Sequence, residues 1–449
     1  MKTERTNVPS ASALLSLLNL CRLNSRQKEQ AVTLAHDIRD WNGLLDLAEQ
    51  NSATILTADR ILELNLLPSP SPHDAGRFFQ FLEKAKALKQ AAEARTRHVT
   101  KILKAAHSEH LEVIVLKGGM LGSVLYGNPN YKKMNDIDVL VRFEDARRLA
   151  GLLRRKDFLS VGQLFGEEEF SDKSHHSPPF VSRDLKCMVG LHWGLTSPYA
   201  RWKHDTGEIW QRKLAVTVCS APAFRMSWED NLLHLCIHLP FFKVGVRELA
   251  DVYNIGLFAQ PGIDWKCFDA LVEKWRAEDA AWRVLSLSDC LQPLGVPREL
   301  LDKWQQHVTS FTRNDTMRRL ALGQALIATR SVHIGKIEKA FSILRISRNF
   351  PERFFAWAAT WKLTFWPKAL ELPRLQGVLP GQTTWLWSRL TAGYHCWNAM
   401  ARDYGQIPLT VVTLANVGIV MREMVLWPFR GKHSPIRKSE HYKILEALE

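Results

Sequence analysis

Apolar residues follow two different periods along this chain. In residues 8–67 and again from 228 to about 345, they recur every three to four positions, as in DWNGLLDLAEQN and EDNLLHLCIHL. This spacing is typical of amphipathic helices. A stretch rich in Ala, Lys and Glu at about 75–110 predicts one long helix that leads into a β-branched run. The pattern therefore predicts an α/β segment inserted between helical regions.

Within that segment the apolar runs are short and β-branched. VIVL begins at Val113 and IDVLV begins at Ile137, and a helix of roughly Met120–Tyr126 is predicted between them. A second helix is predicted over residues 142–158. Residues 180–193, FVSRDLKCMVGLHW, predict a hairpin whose turn is near Arg183 and Asp184. The polar sequences GEEEF and SDKSHHSPP before it are typical of loops.

The stretch PSPSPHD at residues 68–74 is typical of a short linker. Together with the change of period, it predicts four parts, which are an N-terminal helical region (1–74), an α/β core (75–225), a helical domain (226–345) and an aromatic-rich, mostly helical C-terminal region (346–449). We therefore expect an α+β fold, in which a small mixed sheet is flanked by mostly helical N- and C-terminal regions.

Charge and composition indicate an anionic partner. The chain has 449 residues and a net charge of +14, which suggests a nucleotide, a nucleic acid or a lipid surface. The basic residues are scattered and form no arginine-rich tail, so nucleic acid stays an open but not a favoured partner. The C-terminal aromatic residues and the basic residues Arg430, Lys432, Arg437 and Lys438 leave a peripheral membrane or nucleic-acid patch open. Tryptophans at helical spacing are more often part of a core.

Cysteine usage and apolar segments predict a cytoplasmic protein. Seven cysteines occur singly, without a CxxC pair, which argues against a disulfide framework and a zinc ribbon. Near the N-terminus, Ser16 and Asn19 interrupt SASALLSLLNLC, and this favours an amphipathic helix over a signal segment. Residues 407–421 are apolar but fall short of the roughly 20 residues that span a bilayer. We expect no transmembrane helix.

The sequence NDIDVLV contains the clearest chemistry. Residues two apart in a strand point to the same face, so Asp136 and Asp138 are expected to project together while Ile137 enters the core. Two neighbouring carboxylates repel each other unless a cation lies between them. Mg²⁺ carried by a nucleoside triphosphate (NTP) is the usual solution, because it binds one or two carboxylates plus phosphate oxygens. Asp136 and Asp138 are therefore candidate catalytic and metal-binding residues.

A glycine pair upstream predicts a phosphate site. Gly118 and Gly119 follow a predicted strand and precede a predicted helix. Glycine lets a phosphate approach the backbone, and a helix N-terminus offers N–H groups to an anion. Lys117 and the pair Lys132-Lys133 are candidates for neutralising further phosphate charge. Either motif alone is common, and their order and spacing are what favour a joint site.

The glycine pair, the helix and the Asp-Ile-Asp strand, in this order, resemble the nucleotidyltransferase superfamily. LKGGMLGSVLY and KKMNDIDVLV are similar to the bacterial uncharacterised nucleotidyltransferase family, whose pattern is Lys-Gly, Tyr, Arg and then Asp-h-Asp, where h is hydrophobic. LHWGL and RELADVYNIGLF agree with it, and the resemblance covers about residues 40–300.

The resemblance implies a chemistry and a set of roles. Asp136 and Asp138 would bind Mg²⁺ or Mn²⁺, and Gly118 and Gly119 would lie against the triphosphate. The reaction would transfer a nucleoside monophosphate from an NTP to an acceptor and release pyrophosphate. A sugar phosphate, a peptide, a protein and tRNA all stay open as the acceptor.

Two positions depart from the family pattern. The arginine before Asp-h-Asp falls on Lys132, which keeps the charge but lacks the planar fork of a guanidinium. The third carboxylate of the superfamily falls on Gly190, just before Leu-His-Trp. His192 shares a strand face with Gly190 and is the candidate base, whereas residues 167–169, all glutamate, lie in a polar loop. Two hypotheses follow, a nucleotidyltransferase and a catalytically impaired protein that binds a nucleotide or a partner.

The histidines outside this motif are interpreted more simply. His234 and His238 are one helical turn apart, a spacing that can bind zinc, but packing on a buried helix is the favoured interpretation. His175 and His176 lie in a loop flanked by proline, and we expect them to be exposed rather than catalytic.

Overall fold

The computed structural model describes most of the chain up to residue 308. The described residues are 10–66, 72–132, 134, 136–161, 170, 174–196, 202, 204–242, 246–308 and a few isolated positions beyond. The chain divides into two compact units, one of residues 1–240 and 244–328 and the other of residues 241–243 and 329–449. The described residues belong almost wholly to the first unit, and the fold below is that of the first unit.

Helices dominate both ends of the described chain. In chain order they are α1 (Ser10–Leu18), α2 (Ser25–His36), α3 (Trp41–Gln50), α4 (Thr54–Glu63), α5 (Pro72–Ser108), α6 (Lys117–Val124), a 3₁₀ turn (Pro129–Tyr131), α7 (Phe143–Arg155), α8 (Thr206–Gln211), α9 (Trp228–Phe242), α10 (Val246–Phe258), α11 (Trp265–Trp275), α12 (Glu278–Leu291) and α13 (Arg298–Gln305). The strands are β1 (Ile114–Val115), β2 (Ile137–Leu140), β3 (Phe158–Ser160), β4 (Phe180–Ser182), β5 (Met188–His192), β6 (Leu214–Val218) and β7 (Ala221–Arg225).

Helix α7 shows how the sequence determines these elements. Glu144 and Asp145 lie in its first turn and Arg154 and Arg155 in its last turn, where each sign of charge is favoured by the helix dipole. Its apolar face, which includes Leu149, is buried. The helix predicted over residues 142–158 is therefore present.

The seven strands form one mixed sheet in the order β3-β4-β5-β2-β1-β7-β6. Strand β1 pairs antiparallel with β2, and β2 pairs parallel with β5. In the register of β2 and β5, Asp138 lies directly opposite Gly190. The mixed sheet and its helical flanks confirm the predicted α+β class.

One hairpin of the sheet was not predicted. Strands β6 and β7 are joined by Cys219 and Ser220, whose φ angles are +49° and +59°. Turns of this kind usually contain Asn-Gly or Asp-Gly, and Cys-Ser gives no such signal. Pro222 also lies inside β7, opposite Thr217, and a proline argues against a strand when only the sequence is known.

Buried polar groups join the N-terminal helices to α10. The Tyr253 hydroxyl donates to the Ser16 carbonyl at 2.8 Å, and the Asn254 side chain donates to the Asn19 carbonyl at 2.9 Å. The Cys21 N–H in turn donates to the Asn254 side-chain oxygen at 2.8 Å. Because these groups are satisfied inside the protein, they hold α10, and with it Asp251, at a fixed place beside the sheet.

The cysteines described here are all free thiols, and Cys21, Cys187, Cys219 and Cys236 are buried. Within the described residues, no helix combines the length and the apolar character that crossing a bilayer requires. The C-terminal aromatic and basic patch, the apolar residues 407–420 and the glutamates 167–169 lie outside the described residues.

Candidate active site

The two predicted carboxylates lie at the start of β2. Asp136 immediately precedes the strand, Asp138 is its second residue, and Ile137 between them is buried in the core. Asp136 as a whole residue is exposed, but its carboxyl group is largely surrounded by protein atoms and loses contact with water. This desolvation, followed by the neighbouring charge of Asp138, raises the pKa of Asp136 above its ordinary value. The two carboxylates are therefore close enough to oppose each other's ionisation.

Both oxygens of Asp138 are engaged. Lys117 Nζ donates to Oδ2 at 2.8 Å, and His192 Nε2 lies 3.1 Å from Oδ1. Burial opposes ionisation of Asp138, but the hydrogen bond from His192 and then the charge of Lys117 outweigh it, so the pKa of Asp138 lies well below its ordinary value. Asp138 is therefore ionised and held between two donors.

Lys117 reaches Asp138 from the first residue of α6. The helix begins at Lys117, three residues earlier than the predicted start at Met120, so Gly118 and Gly119 form its first turn. Lys117 has φ = +50°, a strained conformation for a residue with a side chain, and strain of this kind is common at functional sites. Leu116 before it provides no side-chain cap, and the first-turn N–H groups therefore have no cap acceptor.

The glycine pair is also required by packing. A Cβ on Gly119 would lie 3.1 Å from Val115 Cγ1 and 3.4 Å from Ile137 Cδ1. A Cβ on Gly118 would lie 3.1 Å from Met134 Sδ. The two contacts at 3.1 Å are tighter than ordinary van der Waals contacts. The two glycines thus let α6 lie directly against β1 and the segment before β2.

Lys132 is placed differently from Lys117. Its side chain is buried, and Nζ donates to Asp251 Oδ1 on α10 at 2.5 Å. The Tyr126 hydroxyl donates to the same oxygen at 3.1 Å, and the Lys132 ammonium lies 4.7 Å from the centre of the Tyr126 ring. The predicted phosphate contact of Lys132 stays a prediction, and it would require the ammonium to leave Asp251. Lys133 lies outside the described residues.

Gly190 adjoins the carboxylate of Asp138. A Cβ at position 190 would collide with Asp138 Oδ1 and would lie 3.1 Å from His192 Nε2. The carboxylate therefore occupies the space that a side chain at 190 would enter. The resemblance implied a third carboxylate at this position, and the register places the position beside Asp138.

A cluster of histidines adjoins the same carboxylate. Residues 174–177 run along the end of β5, where the Trp193 N–H donates to the His175 carbonyl at 2.9 Å. The rings of His175 and His176 lie 5.7 and 5.2 Å from the ring of His192, between centroids. Burial, followed by the charge of His176, lowers the pKa of His175 to about 2. We expected both loop histidines to be exposed, but only His176 is, and both lie beside the site.

His234 on α9 is close enough to the site for the charges of Lys117 and His192 to act on it. It is buried, and burial, followed by the charge of Lys117, lowers its pKa well below the ordinary value. His238 is exposed, and the two rings are 6.2 Å apart between centroids. Within the described part of the chain, no group of three or more His, Cys, Asp or Glu side chains is arranged to hold a metal ion.

Sequence reasoning missed Arg95 on α5. Its guanidinium interacts with the charge of Asp136, although the two residues are far apart in the chain. In the sequence Arg95 is one of many basic residues on a helix rich in Ala, Lys and Glu, and no motif marks it. Only the packing of α5 against the sheet brings it to the carboxylates.

Comparison with known proteins identifies the family of this chain. The model of a family described as uncharacterised nucleotidyltransferase matches residues 37–293, more than half of the chain. The matched residues include α6, β2 and β5, from which Lys117, Asp138 and His192 project. Searches among curated proteins and among solved structures found no match. The chain therefore belongs to the uncharacterised nucleotidyltransferase family.

Proposed function

We propose that this protein is a Mg²⁺-dependent nucleotidyltransferase that moves a nucleoside monophosphate from an NTP to an acceptor and releases pyrophosphate. Family membership supports nucleotidyl transfer in general. The observation on which the finer proposal rests is the pair Asp136 and Asp138 beside the uncapped first turn of α6. This arrangement sets acceptors for a cation next to donors for a phosphate.

The two carboxylates fit one Mg²⁺ ion. Asp138 is ionised, and the pKa of Asp136 is raised by desolvation and by the charge of Asp138, an opposition that a divalent cation would relieve. Mg²⁺ in nucleotide sites is commonly held by one or two carboxylates and by substrate phosphates, with water completing the octahedron. When bound, the ion supplies positive charge against the transferred phosphoryl group.

Lys117 and the first turn of α6 would hold the phosphates. The Lys117 ammonium is partly exposed, and its contact with Asp138 Oδ2 can be exchanged for a phosphate oxygen. The N–H groups around Gly118 and Gly119 have no side-chain cap, and the positive end of the helix dipole favours an anion there.

His192 would receive the proton of the acceptor. Because Asp138 is an ionised acceptor, the hydrogen bond assigns the N–H of His192 to Nε2 and leaves the lone pair on Nδ1. His192 Nδ1 is buried without a hydrogen-bond partner in the described structure. In the reaction, the His192 ring would first expose Nδ1 to the acceptor. The acceptor oxygen would then bond to the α-phosphorus, its proton would pass to Nδ1, and the bond from the α-phosphorus to the bridging oxygen would break. Pyrophosphate leaves with that electron pair.

Gly190 favours a second candidate, a protein of the same fold that binds a nucleotide or a partner without turnover. Glycine provides no third carboxylate, and the Asp138 carboxylate fills the space beside it. In this candidate Lys117 and His192 remain the permanent partners of Asp138. Binding would then be retained while transfer is lost.

Transfer of label separates the two candidates. The protein is incubated with a cell extract, Mg²⁺ or Mn²⁺, and NTPs labelled at either the α- or the γ-phosphate. We expect the α-label, and not the γ-label, to appear in a product, and we expect Asp136→Asn to lose this transfer. Asp157→Asn is the matched control, because Asp157 is an exposed aspartate of the same α/β region.

Each other outcome rejects one candidate. Equal transfer by Asp136→Asn and the wild type would reject the assigned site, and transfer of the γ-label would indicate phosphoryl transfer instead. Nucleotide binding without transfer by the wild type would support the second candidate. A gain of transfer in Gly190→Asp would strengthen that conclusion, although Asp138 must first turn away to make room.

A further inference from the structure

Arg95 is a cation of the site with unused hydrogen-bonding capacity. It lies on α5 and is half-buried, and its Nη1 is buried without a hydrogen-bond partner among the residues that the structure describes. The groups whose charges act on it are Cys187 and Asp136, which stand just before β5 and β2. The neighbouring contacts of α5 agree with this, because the Thr96 hydroxyl donates to Asn130 Oδ1 at 2.9 Å and His98 Nε2 lies 3.0 Å from Asp184 Oδ2. This part of α5 therefore packs against the segment before β2 and the turn before β5.

An unpartnered buried donor on a charged group is unfavourable. Burial lowers the pKa of Arg95, because the charged form loses water, yet an arginine stays protonated in proteins. Cys187 does not compensate the charge, since burial raises the pKa of its thiol to about 12 and keeps it neutral. Asp136 attracts the guanidinium, but no salt bridge between the two is present in the described structure. Among the described residues, the charge of Arg95 therefore has no salt-bridge partner.

The other cations of the site already have partners. Lys117 contacts Asp138, and Lys132 contacts Asp251 in the interior. Lys132 occupies the position of the family's arginine and cannot offer a planar fork to a phosphate. Arg95 has such a fork, and Asp136 is the carboxylate whose charge acts on it, whereas Lys117 donates to Asp138.

We propose that Arg95 is a phosphate-binding residue of this site, whose guanidinium contacts the phosphate chain of the bound nucleotide beside Asp136. This inference rests on the proposed function, because it assigns a binding residue to the phosphate chain of the same NTP. A phosphate oxygen would satisfy the buried Nη1, and two parallel N–H···O bonds would match the fork. Lys117, which contacts Asp138, and Arg95, on which the charge of Asp136 acts, would then both contact the phosphate chain.

The test compares binding by four forms of the full-length protein. They are the wild type, Arg95→Met, Arg95→Lys and the control Arg97→Met, which removes an exposed arginine two residues away on the same helix. Titration calorimetry measures their affinities for Mg²⁺-ATP, inorganic tripolyphosphate and AMP. We expect Arg95→Met to bind ATP and tripolyphosphate about 10- to 100-fold more weakly, as for loss of a hydrogen bond to a charged group.

AMP binding should change little in Arg95→Met, because AMP lacks the outer phosphates. Arg95→Lys should recover only part of the affinity, since an ammonium cannot form the bidentate contact. Arg97→Met should bind all three probes as the wild type does. Thermal unfolding provides the readout of folding, and Arg95→Met should melt at the same temperature as the wild type or higher, because it removes an unpartnered buried charge.

Three results would overturn the inference. The first is unchanged affinity of Arg95→Met for ATP and tripolyphosphate. The second is an equal loss of this affinity in Arg95→Met and Arg97→Met. The third is a lower melting temperature of Arg95→Met while its affinity per folded molecule is kept. The proposed function fails separately. If the wild type binds tripolyphosphate through Arg95 but does not bind ATP, the phosphate-binding role of Arg95 is supported and the proposed NTP substrate is rejected. A wild type that binds neither probe overturns both.

Discussion

Two lysine–aspartate pairs lie close together in this protein and differ in what they do. Lys117 and Asp138 meet at 2.8 Å with 23% and 12% of their side chains exposed, at a strained residue that begins a helix. Lys132 and Asp251 meet at 2.5 Å with 6% and 10% exposed, and a tyrosine covers them. We propose that the first pair exchanges its partner for a ligand, whereas the second holds α10 to the segment before β2.

We infer that solvent access, and not residue type, separates the proposed phosphate-binding Lys117 from the structural Lys132. Both lysines precede the Asp-Ile-Asp motif in the sequence, and both were predicted to contact phosphate. Removing one partner of a buried pair leaves a charge without water, while an accessible pair loses little when it opens. The predictions below test this difference from the largest effect to the smallest.

Replacing Lys132 by methionine should cause the largest loss of stability. Among the described residues, the buried Asp251 carboxylate would keep the Tyr126 hydroxyl as its hydrogen-bond donor. Breaking a buried ion pair in this way costs about 3–5 kcal/mol of the free energy of unfolding. Denaturant unfolding followed by circular dichroism measures it. The double variant Lys132→Met with Asp251→Leu should recover part of the loss, and a single variant as stable as the wild type would refute the structural role.

Replacing Gly190 by alanine should disturb the pair of Lys117 and Asp138. The added Cβ collides with Asp138 Oδ1, so the carboxylate must turn and its hydrogen bond to His192 must weaken. We expect a loss of about 1–3 kcal/mol in the free energy of unfolding, as for other overpacked sites. Gly151→Ala is the control, because a Cβ there meets only the end of the Arg155 side chain at 3.5 Å. Equal stability of the two variants would contradict the close approach at Gly190.

Replacing Lys117 by methionine should affect binding more than stability. The ammonium is partly exposed, and Asp138 keeps its hydrogen bond with His192. We expect affinity for Mg²⁺-ATP to fall about tenfold or more, since a charged hydrogen bond to phosphate is lost. The free energy of unfolding should fall by about 1–2 kcal/mol, less than for Lys132→Met, because Asp138 keeps its contact with His192. A large loss of stability with unchanged affinity would reverse the roles assigned to the two lysines.

The exposed pair of Lys28 and Glu63 shows how much stability is lost when a lysine is removed from an ion pair at the surface. Their side chains are 45% and 41% exposed at a distance of 3.1 Å. Lys28→Met should change the free energy of unfolding by about 0–1 kcal/mol. A greater change would mean that general loss of positive charge, and not burial, explains the result for Lys132.

Local patterns allowed much of the fold to be predicted from the sequence. The long helix α5, the helix α7 and the hairpin of β4 and β5 follow from periodicity and turn residues, and the structure has all three. The hairpin of β6 and β7 was missed because its turn residues, Cys219 and Ser220, give no turn signal. The start of α6 was placed too late because Lys117 adopts a positive φ, which a sequence with lysine there does not predict.

Local sequence patterns predicted candidate residues of the site, but they could not predict contacts between segments that are distant in the chain. Asp136, Asp138 and His192 could be proposed from strand alternation and from the resemblance. The partners of Lys132 and Arg95 depend on how distant segments pack, since Asp251 is 119 residues from Lys132 in the sequence. The place of His175 beside His192 likewise depends on a loop that returns along β5.

Binding of Mn²⁺ together with ATP tests most directly the central claim that the carboxylates of β2 hold a cation with a nucleotide. Electron paramagnetic resonance, which detects free Mn²⁺, measures it in the wild type, Asp136→Asn, Asp138→Asn and the control Asp157→Asn. We predict that ATP promotes binding of Mn²⁺ in the wild type and in the control, and that both β2 variants lose it. Retained binding in both β2 variants, or none in the wild type, would contradict the claim.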